Sequence, residues 1–360
     1  MKRILYFSHV NWSWIKQRPH FIPYYIAKSG IEVTYISLNS ITSFISNNKI
    51  KMENEVDEGN LKIKEINVLP LGSRVKIIGK INSILTRKYI AGNFDAIILT
   101  HPSQIDYITP KLRGRKIIYE CMDNHPYFSQ KEKVTNLLIS KEKMLCEIAN
   151  KIIVSSLELK KRLINRYGLD SKKIDVILNA LDDDTILNCS QEKICLKQPN
   201  LVYIGTIGSW FDCKLIKDFA GNNPNYTVYL VGPIEKSIEA ELQNLPTNIV
   251  LVGPVEHNDV FKFIRSGDIM LLPFKVNDVI ECVDPVKMYE YIALNKPIVS
   301  SYWSELDRYV DKVHFYNDGQ SFENVVKYIH LNAKENIINT EFVQKENWKL
   351  RVEDYLKLNL

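Results

Sequence analysis

The sequence predicts an α/β protein with two doubly wound domains, each a parallel sheet covered by helices on both faces. Short strand-like runs alternate with helical stretches along almost the whole chain, and the runs are nearly all apolar. Such alternation is typical of parallel sheets that are buried on both faces. The chain has 360 residues, and at roughly 100–200 residues per domain this length favours two domains.

The first half of the chain starts with a strand and continues the alternation. Apolar and β-branched runs predict strands at Arg3–Phe7, Glu32–Ser37, Lys62–Val68, Ala96–Thr100, Lys116–Glu120, Lys151–Ser155 and Asp175–Leu178. Helical periodicity predicts helices at Arg18–Lys28, Lys131–Ala149 and Leu157–Tyr167. We therefore expect a first Rossmann-like domain over residues 1–190.

The second half repeats the pattern. Strands are predicted at Leu201–Gly205, Thr227–Val231, Ile249–Val252, Ile269–Leu272, Pro297–Ser300 and Lys312–Tyr316. Helices are predicted at Asp212–Phe219, Ile234–Gln243, Asn258–Arg265, Pro285–Leu294 and Gln320–Asn332. We expect this second domain over 199–340, after a polar linker, and a helix over 341–360 that buries its apolar stripe on the first domain.

Composition and charge narrow the function classes. With 45% hydrophobic and 25% charged residues the chain is globular, and its longest apolar run of four residues is too short for a spanning helix or a secretory signal. The six cysteines form no CxxC pair, which favours reduced thiols in the cytoplasm. Residues 1–180 carry 29 Lys+Arg against 16 Asp+Glu, a net +13, whereas residues 181–360 carry 18 against 26, a net −8. The basic half indicates an anionic partner, such as a membrane surface, or a solvated lysine-rich surface.

The stretch Asp284–Val299 is the most informative motif. Its helix opens near a proline, and Lys287 and Glu290 are three residues apart, hence on one face. A cation in the first helical turn and a carboxylate one turn later suit a nucleoside diphosphate, with Lys287 on the phosphates and Glu290 on the ribose hydroxyls. The alternative is an ordinary surface Lys–Glu pair.

This stretch resembles the P-x-K-x-x-E-Y signature of GT-B-fold glycosyltransferases of the bacterial surface-polysaccharide type. Five other segments are similar in the same order: Asn179–Asp182, Leu201–Asp212, Val228–Pro233, Asn248–Pro254 and Asp268–Phe274. The resemblance implies the GT-B fold, with an interdomain cleft and a C-terminal helix returning to the first domain. It also implies a metal-independent transferase without a cofactor, whose substrate is a nucleotide sugar such as a UDP-sugar. The donor-binding residues would be Gly205, Thr206, Gly208, Gly253, Val255, Pro285, Lys287, Met288 and Glu290.

Three positions depart from the family pattern. Cys282 stands where retaining members often carry a first acidic residue, Lys296 replaces the usual glycine before the last strand, and Ala180 replaces a glycine. The stereochemical outcome is therefore left open.

Two loops of the first half carry candidate acceptor and catalytic residues. The W-x-x-x-x-Q-R-P-H pattern resembles members that act on surface polysaccharides, and it implies acceptor binding by His9, Trp12, Trp14, Lys16, Arg18 and His20. The alternative for the two tryptophans is core packing. An inverting transferase needs a base for the acceptor hydroxyl, and the candidates are Asp123, then His125 and His101.

Two further segments have competing interpretations. Asp182–Asp184 contains a D-x-D sequence, which at this position favours a turn or helix cap over a metal site. Ser73–Gly92 is a basic amphipathic segment that suits either an anionic interface or a covered helix with exposed lysines.

The leading hypothesis is a cytoplasmic glycosyltransferase, peripheral on the inner face of the plasma membrane. It would move a sugar from a nucleotide donor to a growing, lipid-linked glycan of the capsule or cell envelope. The alternatives are a nucleotide-sugar 2-epimerase of the same fold and a non-catalytic membrane-surface binding protein. A nucleic-acid partner is not expected, because the basic residues are not interleaved with aromatics in a known module.

Overall fold

The computed structural model describes residues 2–40, 55–70, 76–90, 92–108, 112, 114–129, 131–188, 192–332 and 338–358. It divides into two compact units. The first unit consists of Met1–Asn179 and Trp348–Leu360, and the second of Ala180–Asn347. Each unit is built on its own sheet.

The first sheet has the strand order β3-β4-β2-β1-β5-β6-β7-β8. Its strands are β1 (Arg3–Phe7), β2 (Glu32–Ser40), β3 (Glu55–Glu58), β4 (Leu61–Val68), β5 (Ala96–Leu99), β6 (Lys116–Cys121), β7 (Lys151–Val154) and β8 (Ile174–Val176). All neighbours are parallel except β3, which pairs antiparallel with β4.

The second sheet has the order β11-β10-β9-β12-β13-β14. Its strands are β9 (Asn200–Ile204), β10 (Thr227–Val231), β11 (Ile249–Gly253), β12 (Ile269–Leu272), β13 (Ile298–Ser301) and β14 (His314–Tyr316). All its neighbouring strands run parallel.

Helices follow most strands. They are α1 (Arg18–Lys28), α2 (Lys76–Ile90), α3 (Glu132–Ile148), α4 (Leu157–Tyr167), α5 (Asp183–Asn188), α6 (Cys213–Asn222), α7 (His257–Ser266), α8 (Val286–Ala293), α9 (Gly319–Leu331), α10 (Thr340–Lys345) and α11 (Trp348–Lys357). Within the described ranges, none of them has both the length and the apolar character to cross a bilayer.

The strands form because their residues are apolar on both faces. All four residues of β5 are buried, as are all five of β9 and all four of β12. Both sheets reverse their strand order beside the first strand: β1 lies between β2 and β5, and β9 lies between β10 and β12. In open α/β sheets ligands bind at such a switch point, outside the carboxyl ends of the strands. A ligand is therefore expected at the loops after β1, β5, β9 and β12.

The division between the units lies earlier than the predicted linker at 190–198. Leu181 and Ile186 are each 1% exposed and belong to the hydrophobic core of the second unit. Helix α5, which was not predicted, carries Ile186 into that core. The second unit therefore begins at Ala180.

The predicted helix at 341–360 is two short helices in two different units. Val343 of α10 is 1% exposed in the core of the second unit, whereas Trp348 of α11 stacks on Phe21 of α1 with ring centroids 5.3 Å apart. The polar Asn347 separates them, and its side chain donates to the carbonyl oxygens of Val343 and Gln344.

The helix predicted at Ile234–Gln243 is wrong, because these residues form a series of tight turns. The amides of Ile238 and Glu241 donate to carbonyls three residues earlier. The Nζ of Lys217 donates hydrogen bonds to the carbonyl oxygens of Glu241 and Gln243, at 3.1 and 2.9 Å. These carbonyls are therefore satisfied from outside the segment, without a continuing helix.

Candidate functional site

Three glycines lie at the carboxyl ends of β9, β10 and β11. Gly205, Gly232 and Gly253 have φ angles of 153°, 142° and 82°. A Cβ on Gly232 would lie 2.1 Å from the carbonyl oxygen of Gly205. This close approach of two loops therefore needs glycine. Gly205 and Gly253 are predicted donor-binding residues, whereas Gly232 was not singled out for the site.

The loop after β9 is held by its neighbours. The carbonyl of Thr206 accepts from the hydroxyl of Tyr203 at 2.8 Å, and the amide of Asp212 donates to the carbonyl of Pro273 at 2.8 Å. A Cβ on Gly208 would lie 2.6 Å from the ring of Trp210. Packing against Trp210 is therefore sufficient to explain Gly208, and a phosphate contact at this glycine stays a prediction.

Helix α8 presents the predicted lysine and glutamate as a pair. Pro285 is the N-cap residue, in extended conformation, and makes no side-chain capping hydrogen bond. Lys287 Nζ lies 2.8 Å from Glu290 Oε2, and the two side chains are 27% and 8% exposed. The helix start supplies backbone N–H groups that lack partners within the helix. A cation and a shielded carboxylate therefore share the first turns of α8.

Tyr291 ties this helix to the glycine end of β9. Its hydroxyl accepts a hydrogen bond from the amide of Ile204 at 3.3 Å, one residue before Gly205. Tyr291 is fully buried, and burial raises the pKa of its hydroxyl well above 10. Because this bond joins α8 to the end of β9, it holds the helix that carries Glu290 against the strand that ends before Gly205.

An ion pair with a buried carboxylate holds the segment that leads into α8. Asp284 is 3% exposed and accepts from Arg308 Nη2 at 2.5 Å and from the hydroxyl of Tyr289 at 2.9 Å. Trp303 Nε1 donates to the carbonyl of Val283 at 2.8 Å. Sequence reasoning missed Arg308, Tyr291 and Trp303, because their partners are 20 or more residues away and no spacing rule connects them.

Four other residues of the second unit that the sequence analysis singled out are buried or half-buried. Met288 is fully buried in the hydrophobic core, so its side chain is not available to a donor, and the prediction for it is corrected. Cys282, at the position of the missing first acid, is also fully buried. Val255 is half-buried against the core. Lys296 is 6% exposed, and its Nζ caps the end of α7 by donating to the carbonyls of Arg265 and Gly267, both at 2.8 Å.

In the first unit, three histidines meet at the switch point of the sheet. His9 follows β1, His101 follows β5 and His125 follows β6. The ring centroids of His101 and His125 are 4.8 Å apart, and His9 lies 5.0 Å from His125 and 5.6 Å from His101. His125 Nε2 is buried and has no hydrogen-bond partner. The sequence assigned His9 and the other two to different roles, and the structure brings them together.

Burial favours neutral imidazoles in this cluster, and it also acts on the carboxyl group of Asp123, two residues before His125. Burial lowers the pKa of His101 to about 4 and that of His125 well below 6.5. Burial also lowers the pKa of His9, to about 3, with a smaller contribution from the charge of His101. Burial raises the pKa of Asp123 to about 6, against the opposing influence of Arg18. A carboxylate that titrates near 6 is well placed to accept a proton at neutral pH.

A cavity of about 310 Å³ opens beside the histidines. Its walls include His9, His101, Ser103 and Gln104, with Gly79 of α2 among the other lining residues. His101 Nδ1 accepts from the amide of Ser103 at 3.1 Å, and Gln104 Oε1 accepts from the amide of His101 at 3.0 Å. These bonds orient the ring of His101 at the cavity wall.

Arg18 does not line an open surface. It is 3% exposed, its Nε lies 2.7 Å from Glu120 Oε1, and its Nη1 donates to the carbonyl of Ile177 at 2.7 Å. Glu120, itself fully buried, also accepts from the hydroxyls of Tyr6 and Tyr355 at 2.7 and 3.2 Å. The predicted acceptor contact of Arg18 is corrected, because its guanidinium is mostly used by a buried ion pair.

The loop after β1 divides into packed and exposed residues. Trp12 packs between His20 and Tyr35, with centroids 5.3 and 5.0 Å away. His20 is 3% exposed, its Nδ1 accepts from the amide of Gln17, and its Nε2 lies 3.0 Å from the carbonyl oxygen of Asn11. Trp12 and His20 therefore have structural roles, which for His20 replaces the predicted acceptor contact. Trp14 is 59% exposed and Lys16 is exposed, so both are accessible to a ligand.

The D-x-D sequence begins a helix. Asp182 accepts a hydrogen bond from the hydroxyl of Thr185, and α5 starts at Asp183. Among the described residues, no cluster of three or more His, Cys, Asp or Glu side chains has a geometry that could hold a metal ion.

Comparison with known proteins finds one curated relative. TuaH of Bacillus subtilis (strain 168), provisionally named a teichuronic acid biosynthesis glycosyltransferase, is 26% identical over 200 residues. The match covers 52% of this chain and 50% of TuaH, so the chain spans about half the length of the relative it matches. No family model matches the chain.

Solved structures match the chain along nearly its whole length. A sucrose-phosphate synthase from Thermosynechococcus elongatus superposes with a TM-score of 0.75 at 15% identity, covering 99% of this chain and 98% of that one. HepE from Anabaena, solved in complex with UDP and glucose, gives a TM-score of 0.67 at 11% identity and covers 99% of each chain. The chain therefore has the GT-B fold that the motif resemblance implied.

Proposed function

We propose that this chain is a glycosyltransferase that moves a sugar from a nucleotide donor, with UDP as the nucleotide, to a growing surface glycan. The observation that carries the proposal is the placement of Lys287 and Glu290 on a helix tied by Tyr291 to the glycine end of β9. The similarity to TuaH supports a surface glycan as product, and the similarity to HepE supports UDP.

Donor binding follows from the chemistry of α8. Glu290 accepts hydrogen bonds from two ribose hydroxyls, and Lys287 turns from Glu290 towards the diphosphate. The N–H groups at the start of α8 add partial positive charge there. As the bond between the anomeric carbon and the diphosphate breaks, negative charge grows on the leaving phosphate, and these fixed positive groups stabilise it.

Acceptor activation is assigned to the first unit. The acceptor hydroxyl oxygen forms the new bond to the anomeric carbon and loses its proton to the carboxylate of Asp123. The proposed acceptor contacts are the exposed Trp14 and Lys16 and the cavity beside His9 and His101. No metal takes part in the proposed mechanism, since Lys287 and the helix start supply the positive charge.

The proposed place of action is the cytoplasmic side of the plasma membrane, where the chain would be peripheral and the acceptor lipid-linked. The absence of a CxxC pair among six cysteines supports the cytoplasm. The net charge of +13 over residues 1–180 supports an anionic surface as partner.

A thermal-shift panel of UDP, ADP, GDP and their sugar conjugates tests this function. A nucleotide present at 100 times its Kd stabilises the native state by about 2.7 kcal/mol, so UDP and one UDP-sugar should raise Tm most, with and without EDTA. Absence of any shift would contradict the proposal. Release of free UDP and an altered sugar without acceptor would instead indicate a 2-epimerase.

A further inference from the structure

Helix α2 presents four large apolar side chains to solvent and buries two polar ones. Ile77 and Ile84 are each 71% exposed, Leu85 is 49% exposed and Ile81 is 41% exposed. These positions recur at helical spacing and form one stripe. Surface isoleucines that occur singly need no explanation, but a contiguous stripe marks an interaction site.

The orientation of α2 is fixed by polar contacts on its inner face. Asn82 is 1% exposed, and its side chain accepts from the amide of Leu69 at 2.9 Å and donates to the carbonyl of Leu69 at 2.8 Å. Thr86 is fully buried and donates to the carbonyl of Asn82 at 2.9 Å. Rotating the helix to bury the isoleucines would break the two bonds between Asn82 and Leu69, so the outward stripe belongs to the folded state.

The charges around the stripe are of one sign. Lys80, Arg87 and Lys88 are exposed on α2, and the helix sequence KIIGKINSILTRKYI contains no acidic residue. A helix with isoleucine and leucine on one face and lysine and arginine beside it suits an interface of apolar chains and anionic headgroups. A cytosolic protein partner would be expected to meet the cations with an ordered set of carboxylates, whereas an anionic bilayer supplies both chemistries together.

We propose that the outward face of α2 docks onto an anionic lipid surface, with Ile77, Ile81, Ile84 and Leu85 in the headgroup–acyl boundary and Lys80, Arg87 and Lys88 on the phosphates. This deepens the peripheral location proposed above and rests on it, but it is independent of the transfer reaction. Gly79 of the same helix lines the cavity beside His101. Docking through α2 therefore brings a wall of that cavity to the membrane surface, where a lipid-linked acceptor would lie.

Co-sedimentation of the full chain with vesicles tests the docking. The native chain should bind phosphatidylglycerol–phosphatidylcholine vesicles at low salt, bind pure phosphatidylcholine much more weakly, and dissociate as salt screens the charges. Ile77→Ser with Ile84→Ser should weaken binding on the order of 100-fold. Arg87→Gln with Lys88→Gln should weaken it roughly 30-fold. Leu187→Ser with Leu331→Ser is the matched control, because these leucines are 53% and 81% exposed in the second unit.

Three outcomes would overturn the proposal: no binding of the native chain to anionic vesicles, native-like binding by both α2 variants, or loss of a dimer in the isoleucine variant with vesicle binding unchanged. The last result would mean that a second copy covers the stripe. Thermal unfolding confirms that each variant is folded. A failure here leaves the nucleotide panel unaffected, so the docking and the proposed enzyme activity are tested separately.

Discussion

Replacing Glu290 by glutamine distinguishes a purely structural role of the Lys287–Glu290 pair from a role of Glu290 in binding ribose. The substitution preserves the shape of the side chain and removes its charge. Lys287, which is left without its partner, has a side chain that is 27% exposed. Pairs of this kind on helices are worth about 0.3–0.5 kcal/mol. A purely structural pair therefore predicts a Tm shift of no more than about 2 °C in a domain of this size.

A ribose-binding role predicts a much larger effect on ligand affinity. A carboxylate accepts from both ribose hydroxyls, whereas a glutamine offers one acceptor oxygen and turns a donor towards the other hydroxyl. Losing one hydrogen bond to a charged group costs about 1.5–3 kcal/mol, which corresponds to a 10- to 150-fold weaker Kd. The substitution should therefore weaken nucleotide binding strongly while leaving stability almost unchanged.

Isothermal titration calorimetry measures the Kd of UDP for the native chain and for the variant. The same titration with 2′-deoxy-UDP gives the decisive comparison, because this ligand lacks one ribose hydroxyl. The native chain should prefer the ribonucleotide, and Glu290→Gln should remove most of that preference. Glu323→Gln is the matched control, because Glu323 pairs with Lys327 on α9 and its side chain is 22% exposed. A Kd within threefold of the native value, or an unchanged preference for the ribonucleotide, would refute the ribose role of Glu290.

Three further outcomes are expected. Because the pKa of Asp123 is about 6, the transfer rate should fall as the pH drops through 6 and the carboxylate takes up a proton. Asp123→Asn should lower the rate by about 100-fold or more and abolish this fall at acidic pH. If the variant kept the same fall at acidic pH, Asp123 would be excluded as the base. Arg18→Met should destabilise the first unit by about 3–5 kcal/mol in thermal unfolding, because it leaves the buried Glu120 unpaired; a loss below 1 kcal/mol would contradict this. Gly232→Ala should destabilise the second unit by about 3 kcal/mol or more, because its Cβ would meet a carbonyl oxygen at 2.1 Å. Gly221→Ala, with nothing within 4 Å of its Cβ, is the control and should be neutral or stabilising.

The strands could be predicted because their signal is local. Runs such as Ala96–Leu99 and Ile269–Leu272 are apolar throughout and fully buried, so periodicity and β-branching suffice to find them. The turns at 234–243 could not be predicted, because their carbonyls are satisfied by Lys217, which lies 24 and 26 residues away. Where a distant side chain satisfies the backbone, local propensity is a poor guide.

The candidate site likewise contains residues that local spacing could predict and residues that it could not. Lys287 and Glu290 were found because their spacing of three places them on one helix face. Arg18 was assigned to a ligand because Glu120 lies 102 residues away, and a buried partner at that separation leaves no trace in local spacing. Tyr291 was overlooked for a similar reason, since its partner Ile204 is 87 residues away.

The division of the chain into units has a consequence for biosynthesis. Trp348 and Tyr355 complete the first unit, by stacking on Phe21 and by donating to Glu120, yet a ribosome makes them after all of 180–347. Domains generally fold as they emerge, beginning with the N-terminal one. Here the first unit remains incomplete until the ribosome has translated the second unit. During that time Phe21 and the carboxylate of Glu120 are incompletely covered. Its last apolar contacts form only after Trp348 and Tyr355 have left the exit tunnel.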